Sequence, residues 1–108
     1  MSESALYAGN LERFYGQTLD ARIAHVVCSH LRMNNFGGRI DIAPETFNRL
    51  QEILVFRHEP TFCLTGEPNT GDYRIEMVIA GATVSIHVDP TLAEYEIRAH
   101  LRTRPHAG

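Results

Sequence analysis

The chain has no excess of positive charge. Over 108 residues it carries ten Lys+Arg against 13 Asp+Glu, a formal net charge of −3. Broad, nonspecific nucleic-acid binding needs a basic face that displaces counterions, so this balance argues against it. The chain also lacks an apolar run of about 18 residues, the length a helix needs to cross a bilayer. Its opening Met1-Ser2-Glu3-Ser4 has neither the basic nor the apolar segment of a secretory signal, which makes the cytoplasm the expected location. Cysteine is scarce. Cys28 and Cys63 are far apart and sit in apolar surroundings, and in a reducing compartment they are expected to be free, buried thiols.

Recognised chemical motifs are missing too. There is no P-loop, dinucleotide-binding glycine pattern, His-Glu-x-x-His helix, Gly-x-Ser-x-Gly elbow or EF-hand loop. Glu67 and Asp72 flank a polar loop without a partner that would make them an acid/base pair. His25, Cys28 and His30 give the nearest approach to a metal motif. A structural zinc site takes four ligands, usually as two close pairs, and His58 with Cys63 does not supply the second pair. Neither cysteine lies in a recognisable nucleophile motif. No metal or cofactor is expected. Repeats, linkers and low-complexity segments are absent, so the length fits one domain over residues 1–108, with 104–108 a frayed tail.

What the chain does have is a strong period of two. Tyr73, Ile75, Met77 and Ile79 alternate with Arg74, Glu76 and Val78. After Ala80-Gly81, Ala82, Val84, Ile86 and Val88 alternate with Thr83, Ser85 and His87. Beyond Asp89-Pro90, Ala93, Tyr95, Ile97, Ala99 and Leu101 alternate with Glu94, Glu96, Arg98, His100 and Arg102. Three such runs joined by short turns predict an antiparallel meander over about 73–103 with one apolar face. A two-residue turn at Ala80-Gly81 sets Ile79 opposite Ala82, Arg74 opposite His87 and Glu76 opposite Ser85. A helix starting at Asp89-Pro90 is the rival for the third run, and the one-sided apolar pattern favours the strand.

Upstream, Leu11, Phe14 and Tyr15 give a short helical stripe. Thr18 or Asp20 can cap a helix to about Arg32, with Leu19, Ile23, Val26, Val27, His30 and Leu31 on one side. Residues 23–33 also alternate as a strand would, but His25 and Ser29 are poor inward residues, so the helix is preferred. Asn34 to Gly38 form a turn cluster, and 39–42 and 61–65 are short strands. Pro44 opens a second helix over about 45–55, buried through Phe47, Leu50, Ile53 and Leu54. The expected fold is a two-layer α+β sandwich, with two or three helices packed on one face of the meander.

The outward row of that sheet is where a site can be read: Arg74, Glu76, His87, Glu96, Arg98, His100 and Arg102. Arginine suits recognition because its planar fork makes bidentate contacts. The expected function is a small non-catalytic binding or adaptor protein, meeting a protein partner or a small molecule and pairing as a homodimer because a short chain has little with which to cover its sheet edges. Two alternatives stand beside it. One is an enzyme using His87 and His100 for acid/base chemistry. The other is a nucleic-acid regulator acting through Arg98, Arg102, Arg104, His100 and His106.

Overall fold

A computed structural model describes residues 19–56, 62–68, 70–79 and 81–102. The stripe at Leu11, Phe14 and Tyr15, the tail 104–108, and Arg104 and His106 lie outside the described residues.

The first described helix, α1, spans Ala21–Arg32. Asp20 caps it: its carboxylate accepts the Arg22 amide at 2.9 Å, satisfying one of the donors that the first turn leaves without a partner. The helix is stopped by a turn in which Asn34 takes a positive φ of 55°, a conformation Asn tolerates. Strand β1 follows at Phe36–Ile42, helix α2 at Pro44–Phe56, then β2 at Phe62–Thr65, β3 at Arg74–Ile79, β4 at Ala82–Val88 and β5 at Ile97–Leu101. Pro44 takes the first helical position, where its missing N–H costs nothing.

The five strands form one mixed sheet in the order β2-β3-β4-β1-β5. The β3–β4 hairpin has the expected register, with Ile79 opposite Ala82, Glu76 opposite Ser85 and Arg74 opposite His87. Gly81 turns it with φ of 78°, which a side chain would strain. The meander ends there. β1 lies beside β4 and parallel to it, with Ile40 opposite Ile86, and β5 pairs antiparallel to β1, with Ala99 opposite Ile40. Residues 89–96 therefore step across the end of β1 as a turn-rich loop rather than as the beginning of a third meander strand. Alternation fixes which side chains point inward but leaves a strand's neighbours open.

Inward residues line up across all five strands: Leu64, Ile75, Ile86, Ile40 and Ala99 make one continuous row. Over that row lie Ile23, Ala24 and Val27 of α1 and Phe47, Leu50 and Leu54 of α2, in a single core cluster. Cys28 is buried beside them, whereas Cys63, expected inside, sits exposed on the outward side of edge strand β2. Thr46, also buried, donates from its hydroxyl to the Glu94 carbonyl, so α2 is stitched to the β4–β5 loop.

One short strand, β1, is longer and more irregular than its sequence suggests. Phe36-Gly37-Gly38, expected as a turn, belongs to β1. The pairing with β5 jumps from Arg39 opposite His100 to Phe36 opposite Leu101, so two residues of β1 bulge against none of β5. A Cβ on Gly37 would stand 2.6 Å from the His100 carbonyl oxygen, which explains why glycine is required there.

Candidate functional site

The outward face of the sheet presents two polar rows that cross all five strands. In one, register brings together Thr65, Arg74, His87, Asp41 and Arg98. In the other it brings together Cys63, Glu76, Ser85, Arg39 and His100. Both described helices pack on the opposite face.

Asp41 is the centre of this arrangement. It is 4% exposed, an unusual state for a carboxylate on the face without helices. Its Oδ1 accepts from Arg39 Nε at 3.1 Å and its Oδ2 from His100 Nε2 at 2.7 Å. Burial pushes the carboxyl upward, but the hydrogen bonds and charges of His100 and Arg39 together outweigh it and hold the group below the ordinary aspartate range. A carboxylate at Oδ2 also fixes the imidazole of His100, because the nitrogen it engages must carry a proton.

His87 is held by a different partner. Its Nε2 stands 3.1 Å from Ser85 Oγ, two residues back on the same strand. Burial lowers its pKa, and the nearby charges of Arg39 and Arg74 lower it further against the opposing pull of Asp41 and Asp72. The native state therefore binds this proton less readily than the unfolded chain. The stability His87 contributes is complete above the unfolded value of about 6.5 and is lost as pH falls through that value toward the lower native one. Melting temperatures of the wild type and His87→Gln, measured between about pH 7.5 and about pH 5.5, should show the wild type losing more on acidification. Parallel profiles would contradict the assignment.

The remaining charges on the face are locally matched. Arg74 reaches Glu76 at 2.8 Å and Asp72 at 2.8 Å, and Arg98 reaches Asp89 at 2.9 Å. Lysine does not occur in this chain, so every one of these cations is an arginine with a rigid, directional fork. Exposed pairs of this kind contribute little to stability, so the network orders the face more than it holds the fold.

Of the residues expected on this surface, Arg74, Glu76, His87, Arg98 and His100 meet there. Glu96 does not. It belongs to the loop before β5, where its Oε1 accepts the Ala93 amide at 2.8 Å. Glu94 leaves the face as well and pairs with Arg49 of α2 at 3.4 Å. Tyr95, expected to point inward, is 75% exposed, since the strand begins only at Ile97. Arg102 follows β5, its amide bonded to the Asn35 carbonyl at 2.7 Å. Arg39 and Asp41 are the residues that strand-by-strand reading misses. Their alternation with Ile40 and Ile42 is visible, but only the parallel β1–β4 pairing sets them beside Ser85 and His87.

The histidine–cysteine group separates. Cys28 is buried in the core, His25 is exposed on α1, and His30 stacks on Phe36 with ring centroids 6.3 Å apart. Among the described residues no three His, Cys, Asp or Glu side chains converge as metal ligands would. None of the described helices is long and apolar enough to cross a membrane. No family model matches the chain, and neither a curated protein nor a solved structure does.

Proposed function

We propose that this domain is a non-catalytic binding protein that meets a partner protein through the outward face of its sheet. The observation that carries this reading is the buried Asp41 carboxylate, held by Arg39 and His100 in the middle of a face that no described helix covers. A solvated face without a task has little reason to bury a carboxylate, whereas a recognition surface gains from side chains ordered before the partner arrives. Locally balanced charge suits a protein partner better than a polyanion, which calls for a net basic surface.

Arg74 is the probe, because it projects from β3 into the face and lies three strands away from the β5 edge. Arg74→Glu should leave the melting temperature within about 2 °C, since surface ion pairs contribute little, and should abolish capture of any partner that the wild type retains. Partners retained equally by both proteins would overturn the reading. A second copy of the chain is one such partner, and light scattering across concentration identifies it.

A hydrolytic reading is favoured by one observation, the 3.1 Å approach of Ser85 Oγ to His87 Nε2, on an imidazole whose pKa burial lowers. The carboxylate nearest to this pair is engaged elsewhere, by His100 and Arg39, so the imidazole of His87 lacks the orienting group that such pairs use. Turnover of an activated ester that is lost in Ser85→Ala would move the balance toward it.

A further inference from the structure

The loop between β2 and β3 faces α2 across a hollow that takes no residue from the outward rows. Phe47, Asn48 and Gln51 fall three, four and seven residues on from Pro44, so these four make one stripe along α2. Val88 ends β4, and Tyr73 stands before β3, one step beyond the Arg74–His87 pair. With Pro68 and Thr70 of the loop, these residues line a cavity of about 390 Å³. Small-molecule sites run from about 300 to about 1,000 Å³.

The loop wall is held in place by its own bonds. The Thr70 hydroxyl donates to the Glu67 carbonyl at 2.7 Å and accepts the Asp72 amide at 3.3 Å, and the Tyr73 amide donates to the Thr70 carbonyl at 3.2 Å. Gly66 lies against the Asp72 carbonyl, where a Cβ would stand 2.5 Å from the oxygen, so the two ends of the loop meet. The floor is aromatic: Phe47, buried, meets the half-buried Tyr73 ring at a centroid distance of 5.8 Å and a tilt of 59°. The polar atoms are amides and hydroxyls. Gln51 Nε2 donates to the Tyr73 hydroxyl at 3.5 Å, the long limit of such a bond, and the exposed Asn48 side chain has no partner among the described residues.

Charge narrows the ligand. Among the described residues no charged side chain lines the hollow. Glu45, Glu67 and Asp72 adjoin lining residues in the chain. The two arginines that also adjoin them are engaged, Arg49 with Asp20 and Glu94, and Arg74 with Asp72 and Glu76. An anion would therefore meet carboxylates and already neutralised cations.

We propose that this hollow binds an uncharged purine, as the free base or its nucleoside. The flat rings of Pro44, Pro68 and Tyr73 offer stacking faces to a planar base. A carboxamide carries a donor and an acceptor side by side, the pair that matches the N6 and N7 edge of adenine, and Asn48 and Gln51 supply two of them. The phosphate of a nucleotide finds no cation there. This inference goes beyond the partner-binding reading and does not depend on it.

The test titrates adenosine, adenosine monophosphate and glucose separately into the intact, nitrogen-15-labelled protein and follows amide chemical shifts. Adenosine should shift the Asn48, Gln51, Thr70 and Tyr73 signals saturably, and adenosine monophosphate should bind at least about tenfold more weakly. Asn48→Ala, at an exposed helix position, should weaken adenosine at least about fivefold with an unchanged melting temperature, as loss of one hydrogen bond does. Gln51→Leu keeps the bulk, removes the amide and should give the same loss. Adenosine shifts that do not saturate or that fall on other residues, equal binding of nucleoside and nucleotide, or tighter binding of glucose would overturn the proposal. Asn48→Ala should retain every protein partner that the wild type captures, so this reading and the outward-face reading fail separately.

Discussion

Replacing Ile40 with alanine should destabilise the domain by about 2–5 kcal/mol, the range for removing a buried branched side chain whose cavity cannot collapse. Ile40 has no exposed surface, and it lies between Ile86 on one side and Ala99 on the other, under α1. Strands flank β1 on both sides and a helix covers it, so no neighbour can move into the space without breaking a ladder. Leu64 offers the contrast. It occupies the same inward row but at the β2 edge, 38% exposed, and Leu64→Ala should cost only about 1 kcal/mol. Urea unfolding of both variants measures the difference. Similar small losses at the two sites would place β1 at an edge and contradict the sheet order.

This pair of residues also marks the limit of what the sequence discloses. Ile40 and Ile42 alternate with Arg39 and Asp41, enough to identify a strand with one apolar face. The same is true of Val84 and Ile86 in β4. Nothing in either alternation states that the two strands run side by side in parallel, because the connection between them contains α2, β2 and β3. Hairpin pairing is legible since its register is set by the turn at Gly81. Long-range pairing is decided by the joint burial of five strands and two helices, which is a property of the whole chain. The third meander strand failed for this reason. Ile97, Ala99 and Leu101 do face inward as their spacing predicts, yet they pack next to Ile42, Ile40 and Phe36 rather than against β4. Ala93 and Tyr95 continued the alternation by coincidence, and the loop they occupy is instead held by Asp89, which accepts from the Thr91 amide at 2.9 Å and its hydroxyl at 2.6 Å.

The site inherits the same division. Arg74 opposite His87 and Glu76 opposite Ser85 could be placed from the hairpin alone, and the structure keeps them there. Asp41 could not. A carboxylate in a short strand candidate reads as an ordinary solvated residue until β4 and β5 close on both sides of it. Once they do, its two oxygens face Arg39 and His100 at hydrogen-bonding distance, and the depressed carboxyl pKa follows. The sequence places Arg98 and His100 on the outward face in a strand next to β4, and the face is right while the neighbour is β1. They occupy the far edge, separated from β4 by β1. That shift moves the two residues to the last strand of the sheet among the described residues.

The second large effect is expected at Gly37. A methyl group there would approach the His100 carbonyl oxygen to 2.6 Å, a contact with backbone that no rotamer change can relieve. Either β1 or β5 must shift. Among the described residues β5 is paired on one side only, but at this end it is pinned by the 2.7 Å bond from the Arg102 amide to Asn35 and by the 2.7 Å contact between His100 and Asp41. Gly37→Ala should therefore cost about 1–3 kcal/mol, as overpacking of a closed interface does, and the loss should be concentrated at the Leu101 end of β5. Hydrogen exchange separates this from general destabilisation. The Arg102 amide should exchange much faster in the variant, while the Arg98 amide, opposite Asp41 and beyond the bulge, should keep its protection. A fully stable variant with both amides protected would show that the bulge has room the glycine does not use. Loss of protection along all of β5 would show that the edge strand docks as one unit, with the bulge at Gly37-Gly38 as its single anchor.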